Sequence, residues 1–132
     1  MVGKKEVKKT NYSYDIQKLY LEMFLSDAET FVRCQSIFDY ENFDQKLQEA
    51  AQFVTEYVDK YKTMPEVAIL NAATGSEFQA HTLPKENYNW LLEEFEQFTR
   101  HKSLERAIIK SADLLEKGDY GPVDKMIKDA VQ

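Results

Sequence analysis

The stretch from Leu83 to Val131, LPKENYNWLLEEFEQFTRHKSLERAIIKSADLLEKGDYGPVDKMIKDAV, decides the fold. Tyr88, Leu91, Leu92, Phe95 and Phe98 recur at three- and four-residue spacing, and Leu104, Ile108, Ala112 and Leu115 do so again further on, which predicts one long amphipathic helix. The steps from Phe98 to His101 and from His101 to Leu104 are both three residues. At roughly 100° per residue, the apolar stripe therefore turns by about 150° between the two halves. The first half is expected to lie on a globular body and the second to bury a different face. Next comes Lys117-Gly118-Asp119-Tyr120-Gly121-Pro122, with Gly118 suited to the left-handed position after a helix end and Pro122 to a first helical turn. Val123, Met126, Ile127, Ala130 and Val131 then fall at i, i+3, i+4, i+7 and i+8, a short return helix. The pattern is that of a helical hairpin.

Working upstream, the periodicity gives four shorter helices. The first runs from Ser13 or Tyr14 to Leu25 and buries Ile16, Leu19, Tyr20, Met23 and Phe24. Ser26 to Glu29 fits a capping box, with Ser26 as N-cap, and starts a second helix that carries Phe31 and Val32 inward. An aromatic loop from Phe38 to Phe43 is expected to plug the core. A third helix from Asp44 to Lys62 places Leu47, Ala50, Val54, Tyr57, Val58 and Tyr61 on one stripe. Thr63 to Glu66 reads as a second capping box, leading into a fourth helix with Val67, Ile69 and Leu70 inward, which ends near Thr74-Gly75. The fold class is thus all-α, a small bundle of short helices followed by a long helix and a C-terminal hairpin. Its expected parts are a flexible basic tail over 1–12, a globular subdomain over 13–100 and the hairpin over 101–132.

Eight Tyr, eight Phe and one Trp in 132 residues let a small helical domain bury enough area to be stable. Trp90 lies to one side of the long helix's stripe, where it is expected either to pack against the preceding loop or to offer a partly exposed contact. Charge is uneven. Residues 1–10 carry four lysines against Glu6, or +3, which leaves −9 for the other 122 residues out of a total of −6. An acidic body repels phosphate, so DNA contact is expected to be weak at most and confined to the tail. A single cysteine, Cys34, excludes an intrachain disulfide. No apolar run reaches membrane-spanning length, which together with the cysteine usage sets the expectation of a cytoplasmic protein without a membrane partner.

Motifs for chemistry are sparse. No G-x-x-x-x-G-K phosphate loop occurs. His81 and His101 are twenty residues apart with no cysteine or carboxylate at metal-ligand spacing, and His101 reads as a half-buried packing residue where the stripe turns. Glu93, Glu94 and Glu96 read as a solvated helix face. The expectation is a chain with no catalytic residues, cofactor or metal: a binding or assembly module.

The order of parts resembles the N-terminal domain of DnaB-type replicative DNA helicases, and most of all that of the T4-like phage branch. The resemblance rests on Leu25-x-Asp27-x-x-x-Phe31, on Phe43, and on Phe53-x-x-x-Tyr57-x-x-x-Tyr61 running into Pro65 and Leu70. It continues through Trp90, Glu93, Phe98, Arg106-Ala107-Ile108 and Gly118-Asp119-Tyr120 to Val123, Ile127 and Ala130. It implies a non-catalytic domain whose hairpins pair two by two and help arrange six subunits in a ring collar that docks primase or a helicase loader. In a phage-encoded protein the compartment is the bacterial host cytoplasm. The family's ATPase domain does not follow within these residues, so the alternative is a free-standing adaptor or inhibitor that binds a replicative helicase or its partners.

Physical reasoning points the same way. A hairpin with about fifteen residues in one arm and eleven in the other buries too little to stand alone, and a second hairpin completes a four-helix bundle. The expected self-association residues are Leu104, Ile108, Leu115, Val123, Met126, Ile127 and Ala130, and the expected state is a homodimer through the hairpin, hexameric in a full-length context.

Overall fold

The computed structural model describes residues 12–130, with the side chain of Ala130 excepted. The expectations for the tail before Tyr12, for Val131 and for the Ala130 side chain lie outside the described residues. Six α-helices follow one another: α1 (Tyr14–Ser26), α2 (Ala28–Cys34), α3 (Gln45–Tyr61), α4 (Val67–Thr74), α5 (Lys85–Glu116) and α6 (Tyr120–Ala130). Two single 3-10 turns, Gln35–Ile37 and Tyr40–Asn42, carry the chain between α2 and α3. No strand occurs among the described residues.

Local chemistry explains most of the boundaries. Ser13 caps α1 by accepting the Ile16 N–H at 3.3 Å, and Asp44 caps α3 by accepting that of Lys46 at 2.9 Å. Gly75 ends α4 in the left-handed region at φ 67°, and Gly118 takes the same conformation at φ 76° after α5. Both expected capping boxes are corrected. Ser26 is the last residue of α1, where its hydroxyl donates to the Met23 carbonyl and pairs with the Tyr88 hydroxyl at 2.6 Å. The N-cap of α2 is Asp27, whose carboxylate is engaged by the Thr30 hydroxyl at 2.7 Å. Helix α4 begins only at Val67, after a buried Pro65, with Glu66 as a cap that makes no side-chain bond.

The core is an aromatic cluster around Phe95, which is fully buried. Rings of Tyr20, Phe24, Phe38, Phe43 and Phe98 surround it with centroid distances of 4.8 to 6.1 Å, mostly tilted or edge-on. Edge-to-face contacts of this kind add to the area term because the ring edge of one meets the electron-rich face of another. The loop from Phe38 to Phe43 therefore does plug the core. Three inward assignments fail: Val32 is 63 % exposed, Tyr61 55 % and Ile69 43 %. Each sits at the margin of its helix's apolar arc, where periodicity alone cannot tell a core edge from the surface. Gln17 and Glu22, polar and unassigned by pattern, are buried in α1. Gln17 bridges the Tyr12 carbonyl and the Asp44 N–H, and Glu22 accepts from the Gln79 N–H at 2.9 Å while meeting His81 Nε2 at 2.8 Å. Asn71 holds the same 75–84 loop by accepting from the Phe78 N–H and donating to its carbonyl. Buried polar groups are thus spent on pinning loops to helices, which is what keeps their burial from being costly.

Candidate self-association surface

Helix α5 is unbroken through the expected boundary at residue 100, and what changes there is the face it buries. Up to Thr99 it turns Tyr88, Leu91, Phe95 and Phe98 into the body. Beyond, the same face carries Lys102 and Arg106 in place of aromatics. The Arg106 guanidinium reaches Asn42 Oδ1 at 2.6 Å, with Glu41 at 3.3 Å and Asp39 at 3.4 Å, so the root of the hairpin is tied to the second 3-10 turn. The packed face of the second half is turned instead toward α6, with Ser111 its only fully buried residue.

Taking Ser111 as reference, Ala107 and Leu114 lie about 40° and 60° to one side of α5, and Leu104, Leu115 and Ile108 about 20°, 40° and 60° to the other. Ala107, Leu114, Val123 and Met126 are half-buried in the seam between α5 and α6. On α6, Ile127 and Tyr120 lie about 40° and 60° from Val123. Because the helices run antiparallel, turning in the same sense from their shared seam brings both rows out on one side of the hairpin. That side is apolar and open: Ile108 is 60 % exposed, Leu115 50 %, Tyr120 66 % and Ile127 39 %. Leu104 is half-buried at its base.

Of the residues expected from sequence, Leu104, Ile108, Leu115 and Ile127 are brought together on this face, and Val123 and Met126 support it from inside the seam. Tyr120 was not foreseen, because it falls in the turn motif, although it stands three residues before Val123 at helical spacing. Ile109, 66 % exposed, was also missed, and it points about 100° away from Ile108, off the shared face. The surrounding charges are paired within their own helices: Asp113 with Lys117, Asp124 with Lys128, and Asp129 with Lys125, at 2.9 to 3.1 Å. Such i,i+4 pairs keep the other sides of the hairpin solvated.

The Ser111 hydroxyl is buried with no hydrogen-bond partner among the described residues. His101 is exposed rather than half-buried, its ring 5.5 Å from that of Tyr12. Trp90, 40 % exposed, leans on Tyr20 of α1, with ring centroids 6.1 Å apart. Tyr20 donates to Glu94 at 3.5 Å, and burial, reinforced by that carboxylate, raises its phenol well above the ordinary value. Burial also pushes the Cys34 thiol up, away from the reactive thiolate.

Among the described residues no group of three or more His, Cys, Asp or Glu is placed to hold a metal ion, and no helix is long and apolar enough to cross a membrane. A groove of about 410 Å³ beside the start of α5 is lined mainly by polar and charged side chains and crossed by the 3.0 Å ion pair of Lys85 with Glu29. Comparison of the chain with family models, with curated protein sequences and with solved structures returns no match.

Proposed function

We propose that this chain is a non-catalytic assembly module that self-associates through the apolar face of its α5–α6 hairpin, as the N-terminal collar domain of a DnaB-type replicative DNA helicase. The observation that carries the first part is the single open face formed by Leu104, Ile108, Leu115, Tyr120 and Ile127. Left in water, it is a contiguous apolar patch on the order of several hundred Å², larger than soluble monomers usually tolerate beside an otherwise charged surface. A two-fold partner presents the same face back, removes both patches and completes a four-helix bundle. The helicase assignment rests on the resemblance in the order of helices and turns. In that setting the paired hairpins form the collar, and the acidic body is the docking surface for primase or loader.

The test is sedimentation equilibrium of the full chain at micromolar concentration. Ile108→Asp or Ile127→Asp places an unpaired carboxylate in the interface, at a cost of several kcal/mol. The expected result is a monomer with a native helical spectrum. Unchanged association in both folded variants would remove the physical basis of the reading. For the helicase assignment, the chain fused ahead of a phage helicase motor domain is expected to restore ring assembly lost on deletion of that helicase's own N-terminal domain.

A further inference from the structure

A second copy can meet the hairpin's apolar face in two directions, and the charges beside that face tell them apart. In a four-helix bundle each helix has the bundle centre at about 45° from its hairpin neighbour and the helix across the interface at about 90°. On the side where Ile108 lies, Ala112, Glu105 and Glu116 stand about 100°, 120° and 140° from Ser111 on α5. On α6, Asp124 and Lys128 stand about 100° and 140° from Val123. All five are exposed, so they look across the interface from the margin of the apolar rows. Along the hairpin, Met126 is level with Ala107 and Lys110, and Asp129 with Ser103, because these side chains line shared grooves. On that scale Lys128 stands level with Arg106, and Asp124 with Lys110, to within about one residue.

We infer that the two hairpins pair in the same direction, α5 against the partner's α6, with Glu105 and Lys128 selecting that orientation and both bodies standing at one end of the bundle. The inference rests on the self-association reading above. Charge is its first support. In the opposite direction α5 would pack on the partner's α5. A two-fold axis through the middle of the apolar stretch, near Lys110, then brings Glu105 within about one residue of the partner's Glu116, and Asp124 onto the partner's Asp124. Like charges so placed oppose association. In the parallel arrangement Glu105 comes level with the partner's Lys128 on both sides of the axis, and Asp124 faces the partner's Ala112. Lys128 holds Asp124 at 3.0 Å and Lys102 holds Glu105 at 3.3 Å, so each new pair joins two existing ones. Trp90 is the second support. It is 40 % exposed and stands about 60° from Ser111, the bearing of Ile108. Parallel pairing turns it toward the partner's α5, whereas antiparallel pairing leaves it beyond the partner's hairpin tip. The body leaves room for this, because Leu91, Phe95 and Phe98 attach it at roughly 140° to 200° from Ser111, on the flank away from α6.

The test uses the full chain and reads charge and distance separately. By sedimentation equilibrium, Glu105→Lys is expected to weaken the dimer about tenfold, less so as salt is raised, and the double variant Glu105→Lys, Lys128→Glu to recover most of the loss. Antiparallel pairing predicts the opposite sign for Glu105→Lys, because the new charge would meet the partner's Glu116. For distance, Asn87→Cys, at an exposed position near the start of α5, carries a spin label, with the buried Cys34 left in place. Parallel pairing is expected to hold the two labels within about 30 Å, as the α5 helices then lie diagonally across one bundle. Antiparallel pairing would set them about 70 Å apart, since position 87 is some 35 Å along the helix from the axis in each copy. Labels near 70 Å, or an unchanged or tighter dimer in Glu105→Lys, overturn the inference while leaving hairpin pairing standing. If Ile108→Asp leaves association unchanged in the same measurement, the self-association reading has failed and the inference falls with it.

Discussion

The body and the hairpin are built on the same helix, yet they meet water in opposite ways. In the body, α5 is surrounded: Phe95 and Phe98 are fully buried among rings supplied by α1 and the loop before α3. In the hairpin it has one neighbour, and only Ser111 is fully buried along seventeen residues from Arg100 to Glu116. A helix needs an apolar stripe against something, because propensity alone hardly sustains it in water. The difference teaches that the body buries its apolar stripe among its own helices, while the hairpin leaves part of its stripe in water. It is also why the two regions should respond to mutation in different currencies, the body in stability and the hairpin in association.

The largest contrast should come from truncating a large apolar side chain in each. Phe95→Ala opens a cavity at the centre of the ring cluster and is expected to cost about 3 to 5 kcal/mol, enough to unfold much of a domain this size. Ile108→Ala removes a side chain already 60 % exposed and is expected to change monomer stability by under about 1 kcal/mol. Urea titration followed by circular dichroism, done dilute enough to avoid association, measures both. Comparable losses would mean that the hairpin is more deeply integrated than its exposure indicates.

A smaller effect sharpens the contrast at alkaline pH. Tyr20 belongs to the body, and its phenol is held above its ordinary value of 10.0 by burial and by Glu94. The folded state therefore keeps this proton more tightly than the unfolded chain does. Its contribution is fully present below pH 10 and is lost as pH climbs from there toward the folded value. Spectrophotometric titration is expected to show one tyrosine that ionises only with unfolding, and Tyr20→Phe is expected to remove that late step. A Tyr120→Phe variant serves as the control, since Tyr120 is 66 % exposed on the hairpin.

The smallest effect is expected at Ser111. A buried hydroxyl without a partner is a standing cost, so Ser111→Ala should stabilise the hairpin by up to about 1 kcal/mol, read as slower amide exchange in α6. Faster exchange would show that the hydroxyl is satisfied by a group that the described residues do not reveal.

How much of this was legible beforehand follows from what periodicity can carry. The long helix, its turn at Gly118 and the return helix were readable because Tyr88 to Leu115 and Val123 to Ala130 repeat at helical spacing over many turns, and because the punctuation falls on Gly and Pro. The rotation of the stripe near His101 was readable for the same reason, being a matter of counting. Short helices were less so. Asp27 and Ser26 are equally good caps by residue type, and the choice between them was made by Tyr88, sixty-two positions away, which holds the Ser26 hydroxyl. Likewise Glu22 is an unremarkable surface residue by pattern, buried only because Gln79 and His81 arrive to meet it. Of the candidate face, the α5 row was legible from spacing, whereas Tyr120 was hidden by its place in a turn.

The unbroken passage of α5 from body to hairpin makes the direction in which the apolar face looks a question of phase. Nothing hinges there, so the bearing of that face relative to the body is stored in a residue count, the six steps from Phe98 to Leu104. One inserted alanine would swing the face by about 100° and lift it by about 1.5 Å, without removing a single apolar side chain. Two such modules with different counts would carry the same chemistry and yet present it to different quarters of space, so the bearing of that face is set by arithmetic along one helix.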